Sequence, residues 1–257
     1  MLNLLKIEWL KLNQYRPFLI LLGLFALSVF GINYVFHEIL AVTGGTGSML
    51  VGMPFQFPGV WNTVTYLSSF LLFIPGLLMI LIISNEYSFR THRQNIIDGV
   101  SRSQFIVTKI LLAIILSVCL TVLVFIVALL FGIAEGDSAF SLQLIKYVFY
   151  FFIQSVAYIS VAMVLVLLLK RSGISIGVYF LYAFILENTV TALINNKLNP
   201  VGYFFPLESA DKLIPLPGIF GQINQNVPDE KYLLLTSIIW IIACLWFCKL
   251  KFEKSDL

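Results

Sequence analysis

Reactive side chains are scarce in this chain, and their spacing argues against enzyme chemistry. The two histidines, His37 and His92, stand in different polar stretches, and neither has the spacing of a metal site. Cys119, Cys244 and Cys248 all fall inside apolar runs. Cys244 and Cys248 share a helical face, but no His or carboxylate lies near them to complete a site, so they read as small buried hydrophobes. No disulfide framework is indicated. No Ser or Cys nucleophile has a plausible His base. Neither H-E-x-x-H nor G-x-x-x-x-G-K-[ST] occurs. Thr43-Gly44-Gly45-Thr46-Gly47-Ser48 resembles a phosphate loop only superficially and reads as a flexible turn. The chain is expected to be a non-catalytic subunit that binds no metal or cofactor itself.

The remaining chemistry is that of docking. Asn85 to Arg102 is polar and basic between two long apolar runs. Tyr87 to Ile97 has neither Pro nor Gly and predicts a helix of about three turns. Asp98-Gly99 reads as its stop, with Gly99 free to turn left-handed. Ser101 and Gln104 fit a capping box that opens the next helix. Tyr87, Phe89 and Ile97 are expected to fill an apolar cleft on a partner, and Arg90 and Arg93 to meet its carboxylates.

The elements that must position this stretch are membrane spans. The 257 residues are 60% hydrophobic and 11% charged, with mean hydropathy +0.96. Soluble domains carry about 25% charged residues. The expected fold is an all-α integral membrane protein forming one domain over 1–257. It has an interfacial helix at 1–16, a cytoplasmic segment at 85–100 and an extracytoplasmic segment at 187–231. Six spans are predicted: Phe18–Phe36, Trp61–Ser84 with a kink at Pro75-Gly76, Ile110–Ile133, Tyr147–Leu169, Ile174–Leu186 with an extension to Ile194 left open, and Tyr232–Phe247. The five prolines of 187–231 forbid one continuous helix there. The middles of the six spans hold no Asp, Glu, Lys, Arg or His, which argues against coupling to an ion gradient.

Six spans put both ends, the 85–109 segment and Lys170-Arg171 on one side. The other side holds only Lys146, Lys197, Lys212 and Lys231 of the 16 Lys and Arg. The positive-inside rule then places both termini in the cytoplasm of a multi-pass plasma (inner) membrane protein. The net charge of +3 gives no reason to expect nucleic acid.

The 86–109 stretch resembles the segment between the second and third spans of ABC-2 type exporter permeases. There a Glu opens a short coupling helix, commonly as E-x-x-x-G-T, and Ser-Arg starts the next span with a Lys soon after. The matching residues are Glu86, Thr91, Ser101, Arg102 and Lys109; Arg90 stands where the family often has Gly. The Lys6-x-Glu8-x-x-Lys11-Leu12 helix also fits. The resemblance implies a permease subunit working with a second copy or paralogue. It also implies a separate ATPase chain carrying ATP and Mg, docked on Glu86, Tyr87, Phe89, Arg90, Thr91, Arg93, Ile97, Ser101 and Arg102. Gly173 and Gly177, four apart, mark a seam between two permease subunits. Asn62, Ser68, Tyr179 and Tyr182 suit an amphipathic or lipid-like cargo, though such groups also hydrogen-bond between helices. A non-transporting assembly or immunity factor and an ion-coupled carrier are the alternative functions.

Overall fold

The computed structural model describes residues 2–43, 54–97, 99–136, 139–197, 200–218 and 227–254. Regular structure among these residues is helical throughout. In chain order it comprises α1 (Leu2–Gln14), α2 (Arg16–Thr43), α3 (Gly59–Ser69), α4 (Phe73–Ser88), α5 (Thr91–Ile97), α6 (Arg102–Ala134) and α7 (Lys146–Leu169). Then come α8 (Ser172–Leu181), a π-helical turn (Tyr182–Leu186), α9 (Glu187–Lys197), a 3-10 turn (Val201–Phe204), α10 (Pro206–Asp211) and α11 (Glu230–Glu253).

Five described helices are long and apolar enough to cross a membrane: Arg16–Val42, Arg102–Ala134, Lys146–Leu169, Ser172–Lys197 and Glu230–Glu253. α3 and α4 pass the same test together, bent by 47°. Ile20, Leu27, Ile133 and Ile242 point outward from these helices. Such exposure suits hydrocarbon, and the chain is an all-α, multi-pass membrane protein. α7 is the most enclosed of these helices and packs against α4, α6 and α11. Phe151, Ile159, Met163 and Val166 on it are fully buried.

The helix boundaries differ from the expected ones for local reasons. The third long helix starts at Arg102 rather than Ile110, because helices begin at caps and not where polarity ends. The predicted capping box is formed: Gln104 N–H donates to Ser101 Oγ at 3.2 Å, and Ser101 N–H to Gln104 Oε1 at 3.1 Å. The bend expected at Pro75-Gly76 falls at 70–72, one turn earlier, with Pro75 in the first turn of α4. Pro75 has no N–H to give the Leu71 carbonyl, which accepts from Ile74 N–H instead, at 2.9 Å. Gly76 has its own reason: a Cβ there would lie 2.1 Å from the Tyr179 hydroxyl. The longer of the two expected ends of the fifth span is the one present: 187–197 continues the long helix through the π turn, to Lys197. The 44–48 glycine turn, Asp98, Ile219 and Phe220 lie outside the described residues.

Candidate functional site

At the basic end of the bundle, α4 hands over to α5 through a sharp corner. Phe89 N–H closes on Asn85 O at 2.9 Å, and Arg90 then takes φ +56°. That left-handed residue divides the helix expected over 87–97. Tyr87 and Ser88 finish α4, and 91–97 forms a separate helix of 7 residues. Gly99, at φ +98°, ends α5 as its sequence predicts. Its N–H reaches Ile96 O at 3.1 Å, and Val100 N–H reaches Asn95 O at 3.0 Å.

Beneath the corner lies a buried ion cluster. Lys109, 1% exposed, stands two turns into α6. Its Nζ is 2.5 Å from Glu8 Oε2 on α1 and 2.6 Å from Glu86 Oε1 on α4. Lys11 closes the set at 3.0 Å from Glu8 and 3.7 Å from Glu86. Two ammoniums face two carboxylates, which is the balance that buried charges require. Burial pushes the Glu8 carboxyl upward, but Lys109 and Lys11 together outweigh it and leave it below its usual value. Further ties fasten the corner. Asn85 Nδ2 donates to Tyr15 OH at 2.6 Å, and the Lys170 ammonium lies 5.8 Å from the Tyr87 ring centre. Arg102 donates to Glu253 O at 3.0 Å.

The nine residues expected at the docking surface therefore separate. Phe89 and Ile97 are 76% and 83% exposed, and Arg90, Arg93 and Ser101 are also exposed. Thr91 and Arg102 are half-buried. Glu86 corrects the expectation, being buried in the ion cluster, while Tyr87 is half-buried and packs partly on the core. The last turn of α4 turns Glu86 inward, away from the exposed face of the corner. Gly173 and Gly177 are exposed, with no neighbour within 4 Å of an added Cβ.

The opposite end holds a second constellation that the sequence reading did not single out. Glu187, 4% exposed, receives the N–H groups of Leu207 and Glu208 on one carboxylate oxygen, at 2.6 and 2.9 Å. It thereby caps α10 and holds it against the bundle. Asp211, at the end of α10, accepts from Gln154 Nε2 at 2.7 Å and from Tyr158 OH at 3.1 Å. Burial, with Glu208 and Glu187 nearby, pushes its carboxyl up to about 7 against those two hydrogen bonds. Lys212 pairs with Glu208 at 3.3 Å, and Lys146 pairs with Glu230. Gln154, Tyr158, Glu208, Asp211, Lys212 and Glu230 border a cavity of about 590 Å³, walled on its apolar side by Tyr66, Phe70, Phe73 and Phe184. The signal available in the sequence was Pro206-Leu207-Glu208-Ser209-Ala210-Asp211: a helix-starting proline with two carboxylates three apart. Lys109 and Glu187 also qualify the expected lack of charge in the spans. Both are buried within helices long enough to cross. Among the described residues no three His, Cys, Asp or Glu side chains gather as metal ligands.

A family model described as "Protein of unknown function (DUF2705)" matches residues 47–257, and the chain belongs to that family. No curated protein matches the chain.

Proposed function

We propose that this DUF2705 member is the permease subunit of an ATP-driven exporter of the ABC-2 type. On this reading it has six spans, α3 and α4 counting as one, with both termini on the cytoplasmic side of the plasma membrane. ATP and Mg bind a separate ATPase chain. A second permease copy or paralogue packs along Gly173 and Gly177. The cargo is amphipathic or lipid-like.

One observation carries this reading. A short helix, α5, and the corner that leads into it stand between two long helices, present Phe89, Arg90, Arg93 and Ile97 to solvent, and are rooted on buried ion pairs. Exposed apolar residues of that size, beside two arginines, suit a protein partner better than water. The rigid root is what a contact needs if it is to transmit force rather than fold away.

The test is charge reversal at Arg90 and Arg93, both changed to Glu. Topology tolerates the change, because Arg102, Lys170 and Arg171 remain at the same end. Docking does not, since like charges at a contact cost several kcal/mol, which corresponds to a loss of at least ~100-fold in affinity. Normal membrane insertion with lost ATPase co-purification is the expected result. Normal insertion with unchanged co-purification and unchanged ATP hydrolysis removes the docking role.

A further inference from the structure

The cavity at the α10 end has an unequal charge inventory. Its lining includes three carboxylates, Glu208, Asp211 and Glu230, and one ammonium, Lys212. Lys212 is engaged by Glu208, and Glu230 by Lys146 from outside the lining. Among the described residues Asp211 makes no ion pair. Its partners are the neutral amide of Gln154 and the neutral phenol of Tyr158. A half-buried carboxylate without a cation is costly to hold charged, and a cationic ligand would lower that cost. Gln154 adds a second sign of an absent donor: it is 2% exposed, and its carbonyl oxygen has no hydrogen-bond partner among the described residues.

The rest of the lining says what kind of cation fits. Tyr66, Phe70, Phe73 and Phe184 present ring surface, and Leu213, Ile214 and Leu216 add aliphatic surface. Aromatic faces attract alkylated ammonium groups. A hard metal ion would want six or more oxygen ligands, which this lining does not gather around Asp211. A small anion would meet a surplus of carboxylates. The volume of about 590 Å³ lies within the range of small-molecule sites. The walls also come from the two irregular parts of the long helices. Phe70 and Phe73 flank the α3–α4 bend, and Ala183 and Phe184 belong to the π turn. Phe73 and Phe184 touch edge to face, with centres 5.3 Å apart. Broken helices in membrane proteins are tolerated where they border such cavities.

We infer that this cavity binds an amphiphilic ammonium compound, with Asp211 as counter-ion, the aromatic wall around the head and the aliphatic residues along the tail. The inference deepens the permease reading by naming its cargo class, and it rests on that reading only for the ligand being transported. Binding is measured on this chain alone, so failure of ATPase docking and failure of ligand binding are separate results.

The full chain in nanodiscs of uncharged galactolipid is titrated calorimetrically with decylammonium, whose N–H groups can donate to Gln154 Oε1 as well as pair with Asp211. Decyl sulfate and decyl maltoside serve as head-group controls, and nanodiscs without protein give the partition background. Saturable binding of the ammonium compound alone is expected, weakened at least tenfold by Asp211→Asn and several-fold by Phe73→Ala. Equal binding of the sulfate or the maltoside by the wild-type chain overturns the inference without recourse to any variant. So does unchanged affinity in a folded Asp211→Asn chain. Replacing half the lipid with phosphatidylethanolamine identifies the source. Competition supports a lipid head group as occupant, and its absence supports a soluble amine.

Discussion

Lys109 and Glu86, 23 residues apart in sequence, bring an ammonium and a carboxylate to 2.6 Å in a site almost closed to solvent. Glu8, from a third helix, completes the contact from the other side of Lys109. The exposed corner at α5 is thus built on a charge cluster that joins α1, α4 and α6.

Removing the cation tests how far that cluster holds the fold. Lys109→Met leaves Glu8 and Glu86 buried against one another, with only the half-exposed Lys11 to offset them. A loss of about 3–5 kcal/mol is expected, the usual cost of breaking a buried pair from one side. The chain also carrying Glu8→Gln and Glu86→Gln should recover much of it. Unfolding in detergent, followed by circular dichroism, reads both; a single-variant loss below about 1 kcal/mol contradicts the role given to the cluster.

Arg90 offers a way to separate stability from docking. Its φ of +56° is a conformation that costs an L-residue about 1–2 kcal/mol and costs glycine almost nothing. Arg90→Gly should therefore raise stability, by up to about 1 kcal/mol after glycine's own entropy cost, while weakening ATPase co-purification. Arg90→Ala should weaken co-purification without the gain. Melting curves and pull-downs on the two variants check this. Equal melting temperatures would count against the left-handed corner.

Gly76 should not tolerate a side chain. An added methyl carbon meets the Tyr179 hydroxyl at 2.1 Å and ring carbons at 2.4 and 2.7 Å, and Tyr179 is fully enclosed. Gly76→Ala is expected to cost about 1–3 kcal/mol through overpacking. Tyr179→Leu in the same chain should restore part of the loss, so that the double variant loses less than the sum of the two single losses in a double-mutant cycle. Strict additivity would show that the two residues do not share that space.

Asp211 predicts a pH dependence of definite sign. Its carboxyl moves from an ordinary 3.8 to about 7 in the folded chain, chiefly through burial and next through Glu208. Between those values the folded state keeps a proton that the unfolded state has released. This group's contribution to stability is therefore complete below the lower value and is lost as pH rises toward 7. Asp211→Asn removes the dependence, so its melting temperature should gain on the wild type from about pH 4 to pH 7 and hold that lead above. A gap that does not change with pH would mean that Asp211 is charged throughout.

What the sequence made legible was local. The long apolar runs announced the spans, and Ser101 with Gln104 announced a cap that forms as written. Gly99 announced a left-handed stop that is present. What it concealed was pairing at a distance. Glu8 lies 101 residues from Lys109, and Glu187 lies 20 from the α10 amides that it holds. Periodicity describes which residues share a face, and says nothing of which helix that face will meet. The resemblance that puts Glu86 at a docking surface compares neighbours in sequence, whereas its neighbours in space draw it inside. Arg90 concealed the corner for another reason: its side chain gives no sign that its backbone turns left-handed.

The helix from Ser172 to Lys197 has a grip at each end of the molecule. Just before its start, Lys170 rests over Tyr87 beside the α5 corner; farther along, Glu187 clasps the first amides of α10. The two grips are separated along the helix by roughly 25 Å at 1.5 Å per residue. The helix is thus a connecting rod between the exposed corner and the floor of the cavity. The π turn at Tyr182–Leu186 falls just short of the second grip, so the stretch between the two grips holds one break in its regular α-helical hydrogen bonding.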